Sequence, residues 1–146
     1  MKTLGYYNGT YDELENMMVP FDDRVCFFGD GVYDAGPARN YHLFAIDEHI
    51  DRFFNSAKLM DIEIPCSKEE LKELLASLVL KMDTGNNFVY WACTRGTGIR
   101  NHVYKKGPGN LWVMIKPETL DTCQKPIKCV TQEDKRFFYC NCKTLN

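Results

Sequence analysis

The residues with the clearest chemical potential lie in a basic segment, residues 95–106, in which arginine, histidine and lysine side chains are interleaved with glycines. If the chain around Arg100 is extended, Arg100 and His102 project to the same side, because side chains two residues apart in a strand share a face. A planar guanidinium beside an imidazole suits a carboxylate or a phosphate. The segment is therefore either an anion-binding loop or an ordinary solvated basic loop, since charged residues are common at protein surfaces.

Two apolar segments flank this loop and must position it. Residues 88–94 and 111–115 are short, rich in β-branched and aromatic residues, and bounded by turn-forming residues. This pattern predicts two buried strands. Binding groups are often carried on loops that rigid strands present.

Two amphipathic helices are predicted between the N-terminal strands and the loop. Apolar residues at helical spacing predict a first helix over residues 48–60, with Asp47 as its N-cap. A second helix is predicted to begin at a capping box formed by Ser67 and Glu70 and to be closed by Gly85.

The remaining predicted elements are strands. Asn8-Gly9 predicts a type I′ hairpin near the start of the chain, because both positions accept positive φ angles. Further strands are expected from Val32, over residues 43–46 and from Ile127, and Gly36-Pro37 is expected to interrupt the first of these. The order of elements predicts an α+β domain with a mainly antiparallel sheet and two amphipathic helices.

The length of 146 residues suits one domain with a fragment of a second. We expect an N-terminal α+β domain over residues 1–118, and a polar, proline-bounded linker over residues 119–126. Residues 127–146 are then expected to begin a second, truncated domain.

Composition argues against several classes of protein. The formal net charge of -2 and the pI near 5.9 argue against a general nucleic-acid binder. The chain has neither an apolar signal core nor an apolar run long enough to cross a bilayer. The absence of both features predicts a soluble cytoplasmic protein. The seven cysteines are odd in number and lack metal-ligand spacing, which predicts reduced thiols and no metal site.

Four separated blocks, taken in order, carry a resemblance to a known family. The blocks are residues 28–33, residues 47–52 with Ser56-Ala57, residues 94–97 with 100–102, and residues 133–136 with 143–146. In these blocks the chain resembles the fold-type IV pyridoxal-phosphate enzymes, and within them most closely the D-amino-acid aminotransferases.

The resemblance implies roles for individual residues. Lys143 stands where the family lysine forms the Schiff base with pyridoxal phosphate and moves protons, although by sequence alone it is an ordinary lysine. Arg52, otherwise a solvent-facing helix residue, stands where the family has an arginine on the cofactor phosphate. Tyr33, Arg100 and His102 match the residues that hold the substrate α-carboxylate.

The resemblance also implies an activity and an assembly. It implies a transaminase that moves an amino group between a D-amino acid and a 2-oxo acid, as a homodimer whose arginine–histidine loop reaches the partner's site. Arg95 is expected to be structural. Because relatives continue for roughly as much chain again, the 146 residues alone are expected to be inactive.

Two other interpretations remain open from the sequence. One is a non-enzymatic, truncated domain that binds a small carboxylate or a partner chain through the same loop. The other is a related enzyme of the same fold, an aminodeoxychorismate lyase or a branched-chain aminotransferase.

Overall fold

The computed structural model of the chain describes residues 1–119, 126–133 and 141–145. Within these ranges, six strands form one antiparallel sheet in the order β2-β1-β6-β5-β3-β4. The strands are β1 (Leu4–Tyr7), β2 (Thr10–Asp12), β3 (Gly31–Arg39), β4 (His42–Leu43), β5 (Asn87–Thr94) and β6 (Asn110–Pro117), and the helices are α1 (Arg24–Phe28), α2 (Ile46–Leu59) and α3 (Lys68–Val79). The predicted α+β class is confirmed.

The core lies between one face of the sheet and the helices α2 and α3. Alternate residues of β5, such as Val89 and Trp91, are fully buried on this face. The ring of Phe53 on α2 meets Trp91 edge to face, with 6.3 Å between ring centroids. The opposite face carries partly buried aromatic residues, which include Tyr33 and Tyr90. The sheet therefore presents one face to α2 and α3, while the opposite face is not covered by either of these helices.

The predicted hairpin and capping box are both confirmed. Asn8 and Gly9 have φ angles of 44° and 97°, as a type I′ turn requires. Ser67 and Glu70 cap the start of α3 reciprocally. The predicted closure at Gly85 is wrong, because α3 ends at Val79. Gly85 instead lies so close to Asn40 that an added Cβ would stand 2.9 Å from the Asn40 Cα.

The predicted strand over residues 43–46 is wrong, because β4 ends at Leu43 and α2 begins at Ile46. The residue before the helix is Ala45, in the left-handed conformation with φ 48°, and no side chain caps the end. Asp47 is thus in the first turn rather than at the cap, where its carboxylate still interacts favourably with the helix dipole.

The predicted interruption at Gly36-Pro37 is also wrong. β3 continues through both residues, with Gly36 opposite Val89 and Pro37 opposite Phe88 on β5. The carbonyl of Pro37 accepts from Phe44 on the other side of the strand. Because N and O of one strand residue point the same way, the proline nitrogen faces away from β5 and costs no hydrogen bond there.

The strand predicted to start at Ile127 is not formed. Residues 126–133 are irregular, and Ile127 and Val130 are 82% and 87% exposed. Most of the predicted linker and several residues of the fourth sequence block, at 120–125, 134–140 and 146, lie outside the described residues. The predicted domain boundaries remain a prediction.

Within the described ranges, no helix is long and apolar enough to span a bilayer.

Candidate functional site

Lys143 lies beside β3, on the edge opposite to β5. The backbone N–H of Tyr33 donates to the Lys143 carbonyl at 3.1 Å, and the N–H of Leu145 donates to the Gly31 carbonyl at 2.9 Å. A β-bridge joins Val32 to Thr144. β4 pairs only with the far end of β3, at Ala38 and Arg39, which leaves this edge free for residues 143–145.

The Lys143 side chain rests on the ring of Tyr33. Its Nζ lies 4.0 Å from the Tyr33 ring centroid, a distance at which an ammonium is attracted to the aromatic face. Tyr33 stacks on Tyr90 at 5.2 Å, and Tyr90 meets Trp112 at 5.7 Å. Burial raises the pKa of Tyr90 to about 12, so its hydroxyl stays neutral. The lysine amine therefore lies on the aromatic face of the sheet, opposite α2 and α3.

Arg52 is bound by the buried carboxylate of Asp34, the residue that follows Tyr33 on β3. Its Nε and Nη2 donate to the two oxygens of Asp34 at 2.7 and 2.6 Å. Asp34 is fully buried, while the Arg52 side chain is 50% exposed. His49, one turn earlier on α2, contacts the same carboxylate at 2.9 Å. Half of the arginine side chain thus remains exposed to solvent.

The charge of Asp34 is stabilised by these partners. Burial alone opposes ionisation, but the hydrogen bonds from Arg52, His49 and the Ala35 amide outweigh it and hold the pKa of Asp34 below its ordinary value. Asp34 is on β3, while His49 and Arg52 are on α2. Their hydrogen bonds therefore hold the helix against the strand.

We predict that Asp34→Asn lowers the free energy of unfolding at pH 7 by about 2 kcal/mol, since charge-assisted hydrogen bonds to a partly exposed arginine are lost. A depressed carboxyl pKa contributes stability above the unfolded value of about 3.9, and this contribution is lost as pH falls through the folded pKa. Urea unfolding of wild type and variant at pH 7 and at pH 3 measures the destabilisation and its dependence on pH. A destabilisation that grows towards acid pH would contradict the assignment.

Asp34 and His49 were not predicted as site residues, and Ser56 was assigned no role from the sequence. A signal was present, because His49, Arg52 and Ser56 follow the i, i+3, i+7 spacing of one helix face. Gly36 supplies the space that the cluster needs, since an added Cβ would stand 3.0 Å from His49 Nε2. What the sequence did not show was which strand residue this face would meet.

The basic loop between β5 and β6 is anchored by Arg95. The Arg95 Nε bonds both oxygens of Asp30 at 2.9 and 3.0 Å, and its two terminal nitrogens donate to the carbonyls of Met60 and Asp61 at 2.7 Å. Its guanidinium also lies over the ring of Tyr104, 3.9 Å from the centroid. These contacts agree with the expected structural role of Arg95.

Arg100 and His102 both lie against the ring of Phe28. The Arg100 guanidinium carbon lies 5.1 Å from the Phe28 ring centroid, and the His102 ring lies 5.6 Å from it. The loop reaches this arrangement through bends rather than as an extended strand. Arg24 donates to the carbonyl of the intervening Asn101 at 2.7 Å. Both side chains remain exposed to solvent.

The proposed catalytic lysine and the three proposed substrate-binding residues therefore fall into two groups. Tyr33 and Lys143 are in direct contact, and Arg100 and His102 share Phe28. Within the described part of the chain, no hydrogen bond, ion pair or ring contact joins one group to the other. Residues 1–119, 126–133 and 141–145 also contain no cluster of three or more His, Cys, Asp or Glu side chains that could hold a metal ion.

Comparison with known sequences finds relatives that span nearly all of this chain. The sequence model of amino-transferase class IV matches residues 31–146. The D-alanine aminotransferase of Listeria monocytogenes is 38% identical over 140 residues, which are 92% of this chain and 48% of the relative. That of Bacillus licheniformis is 34% identical over 151 residues, 100% of this chain and 52% of the relative. The chain spans about half the length of these curated relatives.

Solved structures show the same fold at lower sequence identity. The branched-chain amino acid aminotransferase of Escherichia coli superposes with a TM-score of 0.71 at 18% identity, over 81% of this chain and 42% of that one. The T.th. branched-chain amino acid aminotransferase complexed with N-(5'-phosphopyridoxyl)-L-glutamate has a TM-score of 0.71 at 22% identity, over 79% of this chain and 40% of that one. From the family match and the shared fold, the chain belongs to the class IV aminotransferases.

Proposed function

We propose that this chain is the N-terminal portion of a pyridoxal-phosphate-dependent transaminase that moves an amino group between a D-amino acid and a 2-oxo acid. The contact between Lys143 and Tyr33 carries the proposal, because it brings the proposed catalytic lysine onto a proposed substrate-binding ring. The D-alanine aminotransferase relatives support the D-amino-acid substrate class. The branched-chain structures, at 18% and 22% identity, support only the fold.

The chemistry of the available side chains fits the cofactor of the full-length family, pyridoxal phosphate. An amine is what attaches to an aldehyde, and a half-exposed guanidinium suits a phosphate. Lys143 would hold the cofactor covalently and Arg52 would bind its phosphate. When bound, the cofactor supplies the electron sink for the reaction, while the protein orients it.

Lys143 would also move the substrate proton. A lysine can act as a base once its amine is deprotonated and within hydrogen-bond reach of the proton that it transfers. The aromatic ring of Tyr33 limits where the amine can stand, since the Nζ lies directly over it. The Tyr33 ring covers one side of the amine, and it is supported from behind by its stacking on Tyr90, which in turn meets Trp112.

The substrate α-carboxylate would be bound by Tyr33, Arg100 and His102. Because the latter two do not contact Tyr33 or Lys143 within the described chain, we propose a homodimer in which each loop serves the partner's site. The exposure of both loop side chains supports this arrangement, since they remain available to a second subunit. We also propose a cytoplasmic location, which the odd number of cysteines supports.

The substrate class is tested by assaying the protein expressed from its complete reading frame, with pyridoxal phosphate and 2-oxoglutarate. We expect D-alanine to be converted and L-leucine to be a poor donor. Faster turnover of L-leucine would favour a branched-chain enzyme, and pyruvate release from aminodeoxychorismate would favour the lyase. Carboxylate binding with no turnover of any donor would support a non-enzymatic binding domain.

A further inference from the structure

We propose that Ser56 is a positioning residue for Lys143: its buried hydroxyl and the Tyr33 amide together fix the backbone from which the lysine projects. This inference rests on the proposed function, since it concerns the lysine assigned there. Ser56 is fully buried, and its Oγ accepts a hydrogen bond from the Lys143 backbone N–H at 3.0 Å. The hydroxyl therefore acts on the lysine through its main chain.

Both backbone polar groups of Lys143 are thus occupied. The N–H is bound by Ser56 on α2, and the carbonyl by the N–H of Tyr33 on β3. A residue held at both groups, from a helix and from a strand, has little freedom to shift or rotate. The Nζ position over Tyr33 depends on this anchoring, because the flexible side chain starts from a fixed Cα.

The neighbours of Lys143 reinforce the same attachment. The Cys142 thiol donates weakly to the Ser56 carbonyl at 3.6 Å, and burial raises the pKa of that thiol, which keeps its proton in place. On the other side, Leu145 packs on Gly31, where an added Cβ would stand 2.6 Å from the leucine Cδ1. Ser56 therefore contacts the segment at two consecutive residues.

The position of Ser56 on α2 has a second consequence. It lies four residues after Arg52, about 6 Å further along the helix. Arg52 binds Asp34, the residue that follows Tyr33 on β3, and Ser56 binds the Lys143 backbone. The same rigid helix therefore positions both proposed cofactor-binding residues. The separation between the phosphate-binding group and the lysine is in this way set by α2.

Removal of the Ser56 acceptor tests this role. In Ser56→Ala we expect the Lys143 backbone amide to exchange with deuterium about tenfold faster in the cofactor-free protein, because one buried hydrogen bond is lost. We also expect the ratio of pyridoxal-phosphate labelling at Lys143 to that at the exposed Lys2, after borohydride reduction and peptide mapping, to fall about tenfold. Ser56→Thr keeps an acceptor oxygen and is expected to restore both values towards wild type.

A matched control is Ser77→Ala, which removes a hydroxyl bound to the carbonyl of Leu74 on α3. We expect neither the exchange rate nor the labelling ratio to change in this variant. Faster exchange in Ser56→Ala with an unchanged labelling ratio would make Ser56 merely structural and overturn the inference. If the wild-type protein itself shows no preference for Lys143, the proposed function fails, and the exchange rates still show whether the anchor exists.

Discussion

In the full-length protein, Lys143→Ala is expected to lower D-alanine transamination by at least about a thousandfold, since general acid–base catalysis alone contributes factors of about 10² to 10⁴. The variant also lacks the amine that would hold the cofactor. The domain should stay folded, because the backbone contacts of residue 143 with Ser56 and Tyr33 do not involve the side chain. Steady-state rates measure the loss of activity, and thermal unfolding measures whether the fold is retained.

Lys72→Ala is the matched control for this prediction. Lys72 is a half-exposed helix lysine whose ammonium pairs with Asp47 at 2.6 Å, and surface ion pairs of this kind contribute little. We expect its turnover to match wild type. Transamination by Lys143→Ala within tenfold of wild type would remove Lys143 from the reaction.

Arg100→Ala is expected to lower kcat/KM for D-alanine by about thirtyfold to a hundredfold, because a charge-assisted interaction with the carboxylate is lost. Since Arg100 is exposed and stands on Phe28, its removal should leave the thermal midpoint nearly unchanged. Arg39→Ala, at the exposed end of β3, is a control that removes a cation from a different part of the surface. Equal losses in the two variants would indicate a general charge effect.

A mixture of two impaired variants, Arg100→Ala and Lys143→Ala, tests whether the loop serves the partner subunit. If Arg100 acts across the dimer, each heterodimer of Arg100→Ala and Lys143→Ala subunits has one intact site. Random assembly then restores about a quarter of wild-type activity, because half of the dimers are mixed and each has one working site of two. If Arg100 acts within its own subunit, mixing restores nothing.

Much of the fold was predictable because the local sequence and the pattern of buried residues indicate the same secondary structure. The Asn8-Gly9 turn and the Ser67–Glu70 capping box are formed by residues close in sequence, and the structure confirms both. The prediction failed where a partner distant in sequence decides the outcome. Pro37 is accommodated because its nitrogen faces the edge away from β5, which requires knowledge of the sheet order.

The candidate site divides in the same way. The family resemblance alone indicated Arg52 and Lys143, since by residue type both are ordinary basic residues. The buried Asp34 that binds Arg52, and the Ser56 hydroxyl that binds the Lys143 amide, were not assigned these roles from the sequence. These contacts join residues 18 and 87 positions apart, and no local pattern determines which of many polar groups will meet.

The most direct test of the central claim is to identify the residue that carries the cofactor. The full-length protein is incubated with pyridoxal phosphate, reduced with borohydride, digested and mapped by mass spectrometry. We expect one dominant modified peptide, with the label on Lys143. A dominant label on any other lysine, or uniform low labelling of all of them, would contradict it.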